Sequence, residues 1–179
     1  MQVFKVDREE EGDRYAKYDS LENRRLLWHG TNVAVVAAIM KSGLRIMPHS
    51  GGRVGKGIYL ASENSKSASY VRPDYKSRTG IMFLVEAAMG NMHKIYRDDS
   101  SLCQPPKGFD SVLAVGASEC DPSQNATMTI DGKDVTIPQG KPIKNPECPL
   151  GGSSFTQSEF LVYDEAQVRI RYAVTFKWG

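Results

Sequence analysis

The chain is poor in cysteine. Its 179 residues include three, Cys103, Cys120 and Cys148, odd in number, widely spaced and without a C-x-x-C pair. The three histidines, His29, His49 and His93, do not fall at zinc-ligand spacing. Neither a disulfide framework nor a structural metal is expected, and free thiols in a reducing compartment fit the pattern. Long apolar runs are missing too. No segment is long enough to span a bilayer, and the start of the chain has no apolar signal segment. An intracellular protein with no membrane contact is the expectation, and the Asn125-Ala126-Thr127 sequon, meaningful only in a secreted protein, stays silent. One-signed charge is also lacking. The 23 basic residues nearly balance the 21 acidic ones, for a formal net charge of +2, and the two signs are interleaved. That excludes the basic stripe of a DNA-binding domain, so DNA would be met only through some other module.

What is present is an ordinary globular composition, 40% hydrophobic and 25% charged, at a length that suits one domain with one substantial core. Gln2–Arg8 reads as a short strand, Glu9–Asp19 as an exposed polar connection, and Arg24–Trp28 as a strand that delivers His29 at its end. Asn32–Ser42 is the clearest helix. Thr31 or Asn32 can cap it, Val33, Val36, Ile39 and Met40 form an apolar face, and Gly43 suits its C-terminal stop. Pro48–Gly57 is a glycine-rich loop followed by a brief strand, Ile58–Leu60, and Ser62 is placed to cap a short helix running to about Tyr70. Ile81–Ala88 is nearly all apolar, the pattern of a strand buried on both faces. Ser111–Val115 reads as a strand, and Met128–Ile130 and Val135–Ile137 flank Asp131-Gly132 as a hairpin. Pro138–Gly152 is expected to be a long surface loop. Glu159–Tyr163 and Val168–Trp178 close the chain as strands, the second alternating like a half-buried antiparallel strand. Many short strands, few helices and no βαβ rhythm predict an α+β fold on mainly antiparallel sheets, without repeats or a second domain.

The loop Gly51-Gly52-Arg53-Val54-Gly55-Lys56-Gly57 is not a Walker loop: Gly51 stands one residue too near, and Gly57 replaces the required hydroxyl. Nor is it a dinucleotide fingerprint, because its glycine spacing runs the other way. It remains either a surface loop or a loop whose backbone can approach a ligand closely. Four pieces stand out beside it: Leu27–Thr31 (Leu-Trp-His-Gly-Thr), Gly55–Tyr59 (Gly-Lys-Gly-Ile-Tyr), Ser65–Tyr70 (Ser-Lys-Ser-Ala-Ser-Tyr) and Gln157–Phe160 (Gln-Ser-Glu-Phe). Each residue in them has a plain alternative. His29 at a strand end can be structural, Tyr59 and Tyr70 can be core aromatics, and Ser67 can be an ordinary helix residue. Glu159 is harder to dismiss, since a carboxylate heading the apolar stretch Phe160–Tyr163 is costly unless it is partnered. Glu63, Glu86 and Asp164 are not singled out by context, and His49 and His93 read as loop residues.

At these residues the chain resembles the catalytic domain of the poly(ADP-ribose) polymerase family, from about Phe4 to Phe176. Within that family, Leu26–Tyr70 looks closest to a DNA-damage-responsive member. The resemblance implies the ADP-ribosyltransferase fold, two packed and mainly antiparallel sheets with a few short helices. It also implies NAD consumed as a substrate and no metal. His29 would bond the adenosine-side ribose, with Thr31 beside it, and Arg45 would reach the adenosine part. Gly30 and Ser67 would hold the nicotinamide carboxamide, Tyr70 would stack on its ring, and Tyr59 would wall the pocket. Glu159 would be the catalytic glutamate, with Lys66 near the acceptor. The implied reaction is transfer of ADP-ribose, mainly one unit, to acceptor proteins (itself among them) or a DNA-end phosphate, in a nuclear response to DNA damage. Poly(ADP-ribose) elongation and a non-catalytic NAD- or ADP-ribose-binding module are the alternatives. Nicotinamide-mimicking inhibitors would bind, and a monomer is expected. The chain departs from the family pattern at Leu60 and Phe160, where phenylalanine and tyrosine are usual, and at Val35, where the main polymerising member has asparagine. The Pro48–Val54 loop is shorter than in that member and lacks its Tyr-Met pair. The resemblance implies a catalytic domain taken alone, with the family's helical regulatory domain and DNA-sensing modules expected to lie outside these residues.

Overall fold

The computed structural model describes residues 1–47 and 51–177; His49 and the first residues of the glycine-rich loop lie outside them. Three sheets organise the chain. The first is ordered β1 (Gln2–Lys5), β12 (Val168–Lys177), β4 (Thr79–Ala88), β2 (Arg24–Gly30), β9 (Lys133–Ile137), β8 (Ala126–Ile130). The second is ordered β3 (Ile58–Leu60), β11 (Glu159–Val162), β6 (Ser111–Ala114), β5 (Met92–Ile95). A two-stranded ribbon pairs β7 (Ser118–Cys120) with β10 (Pro142–Lys144). Pairings are antiparallel except β2 with β9 and β5 with β6. Helices α1 (Glu9–Tyr15), α2 (Val33–Ser42) and α3 (Asn64–Ala68) are short. The protein is α+β, with two packed and mostly antiparallel sheets.

The layering follows from alternation along the strands. Leu27, Phe83, Val85 and Ile170 of the first sheet meet Ile58, Leu60, Leu113, Phe160 and Val162 of the second in one core, all 6% exposed or less. Each such large side chain contributes roughly 1.5–3 kcal/mol on burial. The other face of the second sheet is also covered, because Val112, Ala114 and Leu161 pack on Val54 and Phe155. Strand β11 is therefore buried along its length, Glu159 at its head included.

Several expectations need correction. Glu9–Asp19 is not an exposed connection: it forms α1 and a 3₁₀ turn, with Glu11 and Tyr15 buried. The reason is pairing. Tyr15 donates to the fully buried Glu86 at 3.0 Å, and Arg8 lies 3.8 Å from Glu11. His93 is not in a loop but on β5, edge-on to Phe109 at 4.9 Å. Pro138–Gly152 contains β10, which pairs with β7. Asn32, rather than Thr31, caps α2 by accepting from the Ala34 N–H at 3.0 Å. Val36 and Ile39 do face the core, but Met40 is exposed. Ser62 does not cap α3; its hydroxyl is buried and Glu63 occupies the cap position. The final strand does not alternate throughout, since a register shift between Ile170 and Tyr172 turns Arg171 inward onto Glu86. The Asp131-Gly132 hairpin forms as expected, with both residues at positive φ (49° and 77°), as a two-residue turn matching strand twist requires.

Candidate active site

Strand β2 ends where the two sheets meet. Trp28 exchanges backbone hydrogen bonds with Ala61 (2.8 and 3.0 Å), so the end of β2 is tied to the connection between β3 and α3. The next residue, His29, is half-buried, and its Nδ1 lies 2.9 Å from the Tyr59 carbonyl oxygen. A carbonyl can only accept, so Nδ1 carries the proton and Nε2 is left as an acceptor. Desolvation holds the imidazole below its ordinary pKa, outweighing that hydrogen bond, and it stays neutral.

Gly30 follows, and its lack of a side chain is required. A Cβ there would lie 1.7 Å from the Ser67 carbonyl oxygen. The ends of β2 and α3 thus meet backbone to backbone, and the slot that Gly30 and Ser67 line in the cleft presents main-chain groups beside the Ser67 side chain. Ser67 is 4% exposed, whereas Tyr70, just beyond α3, is 57% exposed at the rim. Tyr70 is fixed through its own N–H, which donates to the Ser67 carbonyl at 3.1 Å.

Tyr59 turns its hydroxyl toward the glycine-rich loop. It donates to the Gly55 carbonyl at 2.7 Å and accepts from the Val54 N–H at 3.1 Å. A Cβ on Gly52 would lie 2.5 Å from that hydroxyl. Arg53 holds the same loop from outside, with a forked pair of bonds to Asp98 (2.8 and 2.7 Å) and one to the Ser154 carbonyl at 2.6 Å. It also lies 4.7 Å from the centre of the Phe155 ring. Hydrogen bonds from Arg53 and Ser154 lower the Asp98 carboxyl to about 2.

Glu159 is 4% exposed and meets Lys66 Nζ at 2.5 Å. That ion pair answers the cost of a carboxylate at the head of a buried strand. His29, Gly30, Tyr59, Lys66, Ser67, Tyr70 and Glu159 all line one cleft of about 330 Å³. Gly51, Gly52, Arg53, Gly57, Leu60 and Ala61 complete its walls. The glycine-rich loop is therefore a site wall, a role its composition alone left open. Thr31 and Arg45 do not line this cleft, and Arg45 pairs with Glu165 at 2.5 Å. Asp164 belongs to a separate contact with Lys17 and Tyr18 (2.8 Å each). Among the described residues, no three His, Cys, Asp or Glu side chains group to hold a metal ion, and no helix is long and apolar enough to cross a membrane.

The cleft can grip a flat amide with the main chain of Gly30 and the hydroxyl of Ser67, flank it with an aromatic ring, and present a carboxylate and a neutral imidazole to hydroxyl groups. The family model for the poly(ADP-ribose) polymerase catalytic domain matches residues 1–178. The chain is 60% identical over 173 residues to the mouse protein mono-ADP-ribosyltransferase PARP3, and 56% identical over 172 residues to the human one. Each alignment covers 95% of this chain and 32% of the relative, so the chain spans about a third of their length. Poly [ADP-ribose] polymerase 1 of Xenopus laevis is 39% identical over 183 residues, covering 100% of this chain and 18% of the relative. With the matched model running across both sheets and every wall of the cleft, the chain belongs to the poly(ADP-ribose) polymerase catalytic-domain family.

Proposed function

We propose that this chain is a catalytic domain that transfers ADP-ribose from NAD to an acceptor, mainly as single units, with release of nicotinamide. The observation that carries the reading is the placement of Glu159 in the same cleft as the Gly30–Ser67 slot and the Tyr70 ring. NAD fits that chemistry. Its carboxamide is a planar donor–acceptor group that suits the main-chain N–H and C=O of Gly30 beside the Ser67 hydroxyl, and its ring suits an aromatic rim.

The bond to break joins the nicotinamide nitrogen to ribose C1′. The electron pair leaves with nicotinamide, which becomes neutral, so no general acid is needed at the leaving group. C1′ becomes oxocarbenium-like, as in glycoside hydrolysis. Glu159 holds the nicotinamide-side ribose hydroxyl, stabilises the developing positive charge, and orients the acceptor or takes its proton as the new C1′–O bond forms. His29, neutral and with Nε2 accepting, binds a hydroxyl of the adenosine-side ribose. Tyr59 shapes the wall by pinning the Gly52–Gly55 turn. Lys66 pairs with Glu159 and stands on the acceptor side, and Thr31 and Arg45 serve the adenosine end beyond the cleft.

Transfer of single units rather than polymer is supported by the name of the relatives at 56–60% identity and by the short, clasped loop around Arg53. Acceptor proteins, this chain included, and DNA-end phosphates are the proposed recipients. Action in the nucleus on damaged DNA, through modules outside these residues, and a monomeric catalytic unit complete the reading.

The test is incubation of the purified chain with labelled NAD and resolution of the products by gel. Discrete labelled protein bands support single transfer, and a ladder of long polymer would replace it with elongation. Absence of label despite binding of a nicotinamide-like benzamide would favour a ligand-holding module. A raised melting temperature with benzamide reports a formed pocket, because binding to the native state stabilises by mass action.

A further inference from the structure

Glu63 is 5% exposed, yet its carboxylate faces neutral donors. Ser118 Oγ donates to one oxygen at 2.8 Å and Gln157 Nε2 to the other at 2.7 Å. Gln157 Nε2 also reaches Ser65 Oγ at 2.9 Å. Burying a carboxylate without a cation is costly, and hydrogen bonds from neutral groups offset only part of that cost. The cluster therefore needs a reason, and its location supplies one.

Glu63 sits at the N-terminal cap of α3, but its side chain makes no cap bond and turns away across the fold. Two residues further on, Ser65 joins the cluster, and Lys66 and Ser67 line the cleft. On the other side, Gln157 stands two residues before Glu159. It is bridged to Ser118, whose N–H donates to the Thr156 carbonyl at 2.9 Å. The intervening Ser158 is itself buried and accepts from the Gly116 N–H at 3.0 Å. The three consecutive side chains thus anchor to three places: Gln157 to Glu63 and Ser65, Ser158 to Gly116, and Glu159 to Lys66. Two links, Glu63–Gln157 and Lys66–Glu159, run in parallel between α3 and the lead into β11.

We propose that Glu63 is a positioning residue that clamps the nicotinamide-gripping helix α3 to the strand bearing Glu159, fixing the carboxylate relative to the Gly30–Ser67 slot. Its action runs through Gln157 and Ser118, without contact to substrate. The inference rests on the proposed transferase reading. Misplacement of a reacting group by about 1 Å can cost on the order of a hundredfold in rate, so a contact outside the cleft can control turnover.

The experiment compares Glu63→Leu with Glu63→Gln. Leucine removes both acceptors. Glutamine restores both contacts without charge, one of them reversed: its amide oxygen accepts from Gln157, and its amide nitrogen donates to Ser118 Oγ. Expected for Glu63→Leu is a fall in kcat of about tenfold or more with KM within about threefold, and recovery of most of kcat in Glu63→Gln. Combining Glu63→Leu with Gln157→Leu should be no worse than the poorer single variant, because both act through one contact. An unchanged kcat in Glu63→Leu, or a loss that tracks melting temperature alone and is not restored by glutamine, overturns the proposal.

Amide hydrogen exchange separates this failure from that of the transferase reading. If the native chain transfers nothing, faster exchange in Glu63→Leu at both 63–68 and 157–159, restored in Glu63→Gln, still supports the clamp. Faster exchange confined to 63–65 overturns it.

Discussion

Gly30 and Ser67 form the tightest contact in the site, and it is made by backbone. A Cβ at residue 30 would overlap the Ser67 carbonyl at 1.7 Å, and neither β2 nor α3 can retreat without breaking the Trp28–Ala61 bonds. Gly30→Ala should therefore weaken benzamide binding at least a hundredfold by calorimetry; unchanged affinity would place the nicotinamide elsewhere. His29→Ala should weaken NAD binding itself, and an unaltered Kd would remove its assigned role. The neutral state of His29 also has a pH consequence. Burial depresses its folded pKa below the ordinary 6.5, so the unfolded chain takes up a proton that the folded chain refuses. Stability is fully present above about 6.5 and declines as pH falls below it; His29→Gln should flatten that decline in urea titrations at stepped pH. The identity of these residues was legible in the sequence because each sits in a short motif. The partner of Glu159 was not: Lys66 was placed near the acceptor, and only the fold brings it to 2.5 Å from the carboxylate.

Among the elements, the Gly51–Gly57 loop illustrates what composition conceals. Its glycines left it either a surface loop or one able to approach a ligand closely, and Tyr59 and Arg53 clasp it from both sides. Tyr59→Phe removes the bond to Gly55 and leaves the Val54 N–H unpaired, a cost of about 1–3 kcal/mol, measurable by urea unfolding. The Arg53–Asp98 link adds a second pH dependence. The depressed Asp98 pKa means its contribution is complete above the unfolded value near 3.8 and is lost as pH falls through about 2. Helix α2, with its Asn32 cap and Gly43 stop, and the Asp131-Gly132 hairpin were readable because their signals are local. Strands β5, β7 and β10 were not. At three or four residues each they are too short for a period to show, and their pairing partners are remote. Helix α1 was hidden for a different reason: a run of charged residues reads as solvated unless its counter-charges are known.

At the level of the whole molecule, Glu86 ties three parts of the chain together. It is fully buried and accepts from Tyr15 at 3.0 Å, Arg24 at 3.0 Å and Arg171 at 2.6 Å. Arg171 also meets Asp131 at 2.7 Å, joining the hairpin to the last strand. None of these residues borders the cleft, so the role of Glu86 is structural, in keeping with a sequence context that does not single it out. Glu86→Ala removes the buried carboxylate that Arg24 and Arg171 share and leaves them Asp19 at 3.5 Å and Asp131 at 2.7 Å, both at the surface. It should cost up to about 3–5 kcal/mol. Against a domain stability of roughly 5–15 kcal/mol, urea denaturation should reveal it directly, and a loss under about 1 kcal/mol would mean solvent reaches the network. The α+β class followed from strand number and the lack of a βαβ rhythm, and the two packed sheets from the family resemblance. The parallel β2–β9 and β5–β6 pairings did not, since no local pattern encodes which distant strand becomes a neighbour.

The most direct measurement is nicotinamide release from NAD by the native chain and by Glu159→Gln, alongside the benzamide Kd of each. Glutamine keeps the shape of the side chain but cannot supply the negative charge proposed to act at C1′. Expected is a fall in release of at least a hundredfold with benzamide affinity within about threefold. Equal loss of turnover and inhibitor binding would show that Glu159 chiefly supports the fold, and undiminished release would place the catalytic group elsewhere.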